Sequence, residues 1–370
     1  MHIDRLELRL LRLPLVRHFE TSFGRSYERE FLVLRLEGDG VAGWGECVAE
    51  HAPYYSDETT ETAWHVLTKF LAPRLLGRTF GHPRDVWPAL AAVRGHRMAK
   101  AAIEMAAWDL HARGEGVPLW KALGGDGQPV ASGVSIGIQD TLDELVERVG
   151  MERAAGYQRV KIKIRPGWDI TAVERLRAAY GTIPLMVDAN AAYTLADAGS
   201  LAALDAFGLM MIEQPLEYDD LADHATLQRG LRTPVCLDES IHSAKDAAFA
   251  IAQGACRIIN IKPGRVGGHA ESIRVHDVCA DAGVPVWHGG MLESGIGRAH
   301  NLHLSTLPNF TLPGDIAASR RYYAEDLIDP AIEVSPDGTV PVPPGPGIGV
   351  TPLEDRLARA TERSVTLTQP

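Results

Sequence analysis

The chain has 370 residues, enough for one large core plus a second unit. Hydrophobic residues make up 45% and charged residues 23%, an ordinary balance for a soluble globular protein. Lysine and arginine total 37 against 48 acidic residues, giving a formal charge of −11 with no basic cluster, which argues against a nucleic-acid or anionic-membrane partner.

The segment Ile3–Leu13 opens with alternating apolar and charged residues, the pattern of a half-buried strand and not of a signal peptide. Glu30–Leu36 and Val41–Glu46 form two more strand runs around Gly38-Asp39-Gly40, a hairpin turn. Met98–Ala112 is rich in helix formers with apolar residues at three- and four-residue steps. Strands followed by a helix predict a compact α+β domain over residues 1–125, ending near Gly124-Gly125-Asp126-Gly127. No stretch approaches the ~20 apolar residues of a spanning helix, so no membrane partner is expected. Cys47, Cys236, Cys256 and Cys279 lack paired zinc-type spacing and read as buried hydrophobes in a reducing compartment, by default the cytoplasm.

From residue 126 to 320 the grammar changes. Short apolar runs at Val130–Ile138, Arg159–Ile164, Pro184–Val187, Leu209–Ile212, Pro234–Leu237, Ile258–Ile261, Pro285–Trp287 and, more weakly, Phe310–Leu312 alternate with amphipathic stretches. Among those stretches are Asp169–Tyr180, Leu195–Ala206 and Gly268–Ala282. Eight such repeats predict an α/β fold closed as a (β/α)8-type barrel, with an open doubly wound sheet as the competing architecture. The proline- and glycine-rich residues 321–370 lack this pattern and are expected to wrap back onto the first domain.

Lys163, Asp188, Glu213 and Asp238 recur every 25 residues, and Lys262 follows after 24. Each lies at or just past the end of an apolar run, so one edge of five consecutive strands carries ionisable groups. In barrels that edge is the catalytic face. A structural salt-bridge ring would explain any one of them, but five in register point to chemistry. Three carboxylates without a nearby histidine make an all-oxygen site for one divalent cation, Mg²⁺ or Mn²⁺. Asn190 and Glu239 are candidates to orient those ligands, although helix-cap or loop roles fit them equally well.

Lys163 and Lys262, on strands 2 and 6, would flank the metal from opposite sides. Lys161 shares a strand face with Lys163, and crowding of their ammonium groups predicts a lowered pKa and a general-base role for Lys163. Arg265 could press on Lys262 in the same way, but an ordinary surface arginine is the simpler reading. A metal that grips a carboxylate between lysines suits removal of the α-proton through an enediolate.

Lys161-Ile162-Lys163, the three carboxylates and Lys262 resemble the muconate-lactonizing-enzyme subgroup of the enolase superfamily, across nearly the whole chain. Asp188-Ala-Asn190, Ile212-Glu-Gln-Pro215, Leu237-Asp-Glu-Ser240 and the block Gly289–Asn301 resemble the o-succinylbenzoate synthase/N-succinylamino acid racemase family within it. The resemblance implies a (β/α)7β modified TIM barrel under an N-terminal α+β capping domain completed by C-terminal residues. It also implies a flexible loop, Phe19–Gly24, closing over a small-molecule carboxylate. In the synthase reaction Lys163 would take the proton as 2-succinyl-6-hydroxy-2,4-cyclohexadiene-1-carboxylate is dehydrated to a menaquinone precursor. In racemisation of an N-acylamino acid, Lys163 and Lys262 would exchange roles. Ser135, Phe19, Phe23, Gly290 and Met291 resemble substrate-lining positions, and a homo-oligomer is expected.

Other readings stay open at this point. His288 lies where mandelate-racemase-type relatives place a base, but Lys262 already fills the opposing position. Dipeptide epimerases usually carry Asp-x-Asp after the last strand, where this chain has only Asp315. Muconate cycloisomerase, a Schiff-base aldolase and a non-catalytic binding barrel are the remaining alternatives.

Overall fold

The computed structural model describes residues 1–369, so the last position of the expected 321–370 segment, Pro370, lies outside the described residues. The N-terminal alternation becomes strand β1 (Arg5–Thr21), which turns into β2 (Gly24–Gly38); the Asp39-Gly40 turn then leads to β3 (Val41–Cys47). The three pair antiparallel, burying Leu6, Leu8, Leu32, Leu34 and Leu36 on the inner face. Both β1 and β2 are longer than the alternation predicts, and their far ends form a hairpin with Phe19 opposite Ser26.

Helix α1 (Arg97–Gly114) lies across this sheet. Its alanines and the glycines of β3 permit a very close approach: a Cβ on Gly45 would stand 2.1 Å from the Ala102 carbonyl, and one on Gly43 2.3 Å from that of Ala106. The space between those glycines is why Trp44 can sit in the strand while helix and sheet stay in contact.

Seven parallel strands follow, hydrogen-bonded in chain order: β4 (Gly133–Ile136), β5 (Arg159–Lys163), β6 (Leu185–Asp188), β7 (Ile212–Glu213), β8 (Val235–Leu237), β9 (Ile258–Ile261) and β10 (Val286–His288). Among the helices outside them are α2 (Leu142–Ala154), α3 (Ile170–Tyr180), α4 (His269–Asp281) and α5 (Gly295–Leu304). Two expectations need correcting. The 195–206 stretch is a short helix, Ala198–Ala203, between two 3-10 turns. The weak run Phe310–Leu312 is not a full strand; single parallel bridges from Val286 to Phe310 and from Ser132 to Gly314 stand in for the eighth stave. Pro308 and Pro313 bracket that run and lack the N–H groups a continuous ladder requires.

Met186, Cys236, Ile258 and Trp287 from four of these strands, with Met211 just before β7, form a separate buried cluster. The C-terminal strand β11 (Thr361–Thr368) adds to the outer edge of the first sheet, Arg5 opposite Thr368 and Leu8 opposite Val365. All four cysteines are free and buried. No helix among the described residues is long and apolar enough to cross a membrane.

Candidate active site

Strand pairing sets the five predicted residues on one rim. Lys163 is in register with Asp188, and Asp188 with Glu213. Asp238 and Lys262 each follow directly after the last residue of their strands, β8 and β9. All are buried: Glu213 and Asp238 are 0% exposed and Lys163 only 7%.

The contacts among them form one connected network. Lys163 Nζ donates to Asp188 Oδ2 at 2.7 Å and to Asn190 Oδ1 at 2.6 Å. Asn190 Nδ2 in turn donates to Glu239 Oε1 at 2.9 Å. Lys161 Nζ lies 3.0 Å from Glu213 Oε2, 3.2 Å from Asp188 Oδ2 and 2.6 Å from Asp315 Oδ2. Lys262 Nζ pairs with Asp238 Oδ2 at 2.7 Å and donates to the Tyr55 hydroxyl at 3.1 Å; that hydroxyl donates to Asp238 Oδ1 at 3.0 Å. Asn190 and Gln214, just past two of the strand ends, hold positive φ angles of 41° and 36°. Such strained backbone persists where the surroundings over-determine it; Gln214 Oε1 accepts from the Asp238 amide at 3.0 Å.

Arg265 corrects the sequence reading. It is buried, 3% exposed, and its guanidinium pairs with Asp238 while Nε donates to the Ile241 carbonyl at 2.7 Å. Lys161, the neighbour expected to crowd Lys163, is itself engaged by carboxylates. Burial alone would lower this ammonium, but Asp315, Glu213 and Asp188 hold it well above its ordinary value. Lys262 behaves likewise, raised against burial by Asp238 and Tyr55.

The carboxylates divide in the opposite sense. Burial pushes every one of them up, yet Lys163 and Lys161 hold Asp188 low, and Lys262 and Arg265 hold Asp238 low. Glu213 is driven well above its usual range by burial and by the Asp188 charge beside it. Glu239 rises to about 7 through burial and then the charges of Asp238 and Asp188, and its Oε2 is buried without a partner. Among the described residues no three Asp, Glu, His or Cys side chains converge as a ready cage; ammonium and guanidinium groups engage the carboxylates instead. The donor set nevertheless fits a hard cation. Buried carboxylates pressed together at one strand edge need positive charge between them, and oxygen donors match Mg²⁺ or Mn²⁺.

A cavity opens over this rim. Lys161, Lys163, Lys262 and Asn190 line its floor, and Ser135, Phe19, Phe23, Gly290 and Met291 all line its walls. The structure therefore brings every predicted substrate position to the same space as the lysines. His288 does not line it; its ring stacks on Phe310, centroids 5.8 Å apart, and faces a separate pocket.

Sequence reasoning missed Tyr55, Asp315, Glu293 and Asn260. Tyr55 comes from the loop after β3 and carried no local signal. Asp315 pairs with Arg159 at 2.7 Å as well as with Lys161, so it supports the lysine pair. Glu293 lines the cavity and accepts from the Met291 amide at 2.9 Å. Asn260 donates to Glu213 Oε1 at 2.6 Å; standing two residues before Lys262, as Lys161 stands before Lys163, it was legible from strand periodicity.

The chain matches the description "Mandelate racemase / muconate lactonizing enzyme, N-terminal domain" over residues 7–124 and "Enolase C-terminal domain-like" over residues 144–356. It is 52% identical over 363 residues to an o-succinylbenzoate synthase of Geobacillus kaustophilus, covering 98% of this chain and 96% of that protein. It is 51% identical over 350 residues to an N-succinylamino acid racemase of Thermus thermophilus, covering 95% of each. A crystal structure of an enolase superfamily member from Listeria innocua superposes with a TM-score of 0.96 at 40% identity, covering 100% of this chain and 99% of that one.

Proposed function

The chain belongs to the mandelate racemase/muconate lactonizing enzyme family of the enolase superfamily, and on that premise we propose that it abstracts the α-proton of a succinyl-bearing carboxylate. It is an enzyme of the lyase or isomerase class, acting as o-succinylbenzoate synthase, as N-succinylamino acid racemase, or as both. One observation carries the reading: two lysines from the second and sixth barrel strands face one cavity, with the acidic rim between them.

Members of the superfamily bind a divalent metal, and we propose Mg²⁺ held by Asp188, Glu213 and Asp238. Such a cation, when bound, supplies Lewis-acid stabilisation of the negative charge that develops on the substrate carboxylate. The rest falls to the chain. Asn190 and Glu239 fix the Lys163 ammonium group against one side of the cavity, and Tyr55 and Arg265 fix Asp238 against Lys262 on the other. In the synthase direction Lys163, as the neutral amine, would take the α-proton and the ring hydroxyl would depart, the two together making up the water lost. In racemisation either lysine takes it and the other returns one to the opposite face. Phe19, Phe23 and Met291 shield the reacting carbon from water, and Ser135 lies within the pocket as a polar contact.

We further propose the expected domain limits, residues 1–125, 126–320 and 321–370, a homo-oligomeric assembly in the cytoplasm, and a small-molecule partner only. The deciding experiment compares kcat/KM of the Mg²⁺-supplemented protein on the cyclohexadiene carboxylate and on N-succinylamino acids. Turnover of neither, with metal present, would overturn the assignment.

A further inference from the structure

The catalytic cavity has a neighbour. A second cleft lies between the β1–β2 hairpin and α2, and Phe19 lines both spaces. Three arginines reach it: Arg17 on β1, Arg148 on α2 and Arg321 in the segment after the barrel. Arg148 Nη2 and Arg321 Nε approach the same oxygen, Glu152 Oε1, at 2.6 and 3.4 Å. Those side chains are only 14%, 10% and 8% exposed. Arg17 has no ion-pair or hydrogen-bond partner among the described residues. One buried carboxylate thus serves two largely buried guanidinium groups, with the exposed Arg17 unpaired beside them.

The remaining charges do not fill that deficit. Asp140, Glu144 and Glu147 line the outer part of the cleft; Asp140 is taken by Arg25 at 2.6 Å, and Glu144 and Glu147, like Arg17, are exposed, where solvent screens them. Burial, followed by the charge of Arg321 and more weakly of Arg17, holds Arg148 below its usual range. In the buried part of the cleft Arg148 and Arg321 share the single carboxylate of Glu152; that imbalance favours a bound anion, and guanidinium forks match a carboxylate in shape. The cleft also touches the catalytic wall, since Arg321 donates to the backbone carbonyl of Ser135.

We infer that this cleft is a second binding site, for the carboxylate of a short aliphatic acid. Two sources share that chemistry. One is the distal carboxylate of a succinylated substrate passing Phe19, which rests on the function proposed above; the other is a free dicarboxylate seated beside the cavity. Calorimetric titration of succinate into the Mg²⁺-loaded full chain tests the site without any turnover. Wild-type protein should bind it with an affinity that falls as salt rises, and Arg17→Gln and Arg148→Gln should each weaken binding about 10-fold. Arg17 is exposed, so its variant keeps the test valid even where loss of Arg148 impairs folding.

Kinetics then separate the sources. A KM raised by Arg17→Gln for N-succinyl but not N-acetyl amino acids, with kcat unchanged, supports the substrate tail. Unchanged KM values, with succinate altering wild-type turnover but not that of the variant, support the free acid. Binding weakened by Arg17→Gln in a protein that turns over no succinylated compound supports the site while overturning the proposed activity. Equal succinate binding by the wild type and both variants overturns the site.

Discussion

Replacing Lys262 by alanine separates the two halves of the proposed chemistry. In the wild type its ammonium group lies 2.7 Å from Asp238 Oδ2 inside a buried rim. Removing one partner of a buried pair typically costs about 3–5 kcal/mol because the other charge is left alone. Here Arg265 and the Tyr55 hydroxyl still hold Asp238, so the stability loss should be smaller, roughly 1–3 kcal/mol, and the protein should stay folded. Loss of a positioned acid–base group costs about 10²–10⁴-fold in the step that uses it. Incubating each enantiomer of an N-succinylamino acid in D₂O and following the α-proton by NMR reads that step directly. Lys262→Ala should abolish exchange from one enantiomer while Lys163, on the other side, still exchanges the other. Lys163→Ala should give the mirror-image result. Undiminished exchange from both enantiomers in the Lys262 variant would refute the two-base arrangement, and equal loss from both would show that Lys262 supports the site without acting on one face.

Asp238→Asn should weaken Mg²⁺ binding about 100-fold or more by calorimetry, since even partners behind the ligands commonly contribute 10–100-fold; unchanged affinity would remove Asp238 from the proposed ligand set. Burial raises Glu46 to about 8, opposed by its bonds from Ser294, and raises Glu58 and Glu104 to about 7 against their backbone bonds. A carboxyl raised on folding contributes stability that is fully present below its unfolded value of 4.5 and is lost as pH climbs through the folded one. Chemical denaturation should therefore show stability falling between pH 5 and 9, by at most about 5 kcal/mol from Glu46, and Glu46→Gln should flatten the slope. Gly45→Ala places a methyl group 2.1 Å from the Ala102 carbonyl and should destabilise the fold by about 1–3 kcal/mol, as a lowered denaturation midpoint. Tyr55→Phe should lower kcat about 10-fold without a comparable change in KM, because it removes the hydroxyl shared by Lys262 and Asp238; a pure KM effect would make Tyr55 a wall of the pocket only.

The periodicities of the chain determined where chemistry could lie. A step of 25 residues is one strand and one helix, so Lys163, Asp188, Glu213 and Asp238 had to reach the same edge whatever the detailed packing. A period of two set Lys161 beside Lys163, and it set Asn260 beside Lys262 in the same way. Those signals are local, because strand geometry repeats residue by residue. The partners that complete the site come from far along the chain. Tyr55 meets Asp238 across 183 residues, and Lys161 meets Asp315 from beyond the last stave. Arg265 looked like a surface side chain because three-residue spacing says nothing about the carboxylate that draws it inward. The cleft behind Phe19 likewise exists only where the first sheet's hairpin, α2 and the segment holding Arg321 come together. Tertiary packing alone decided these contacts, since each depends on how separate elements dock and not on any repeat within one of them.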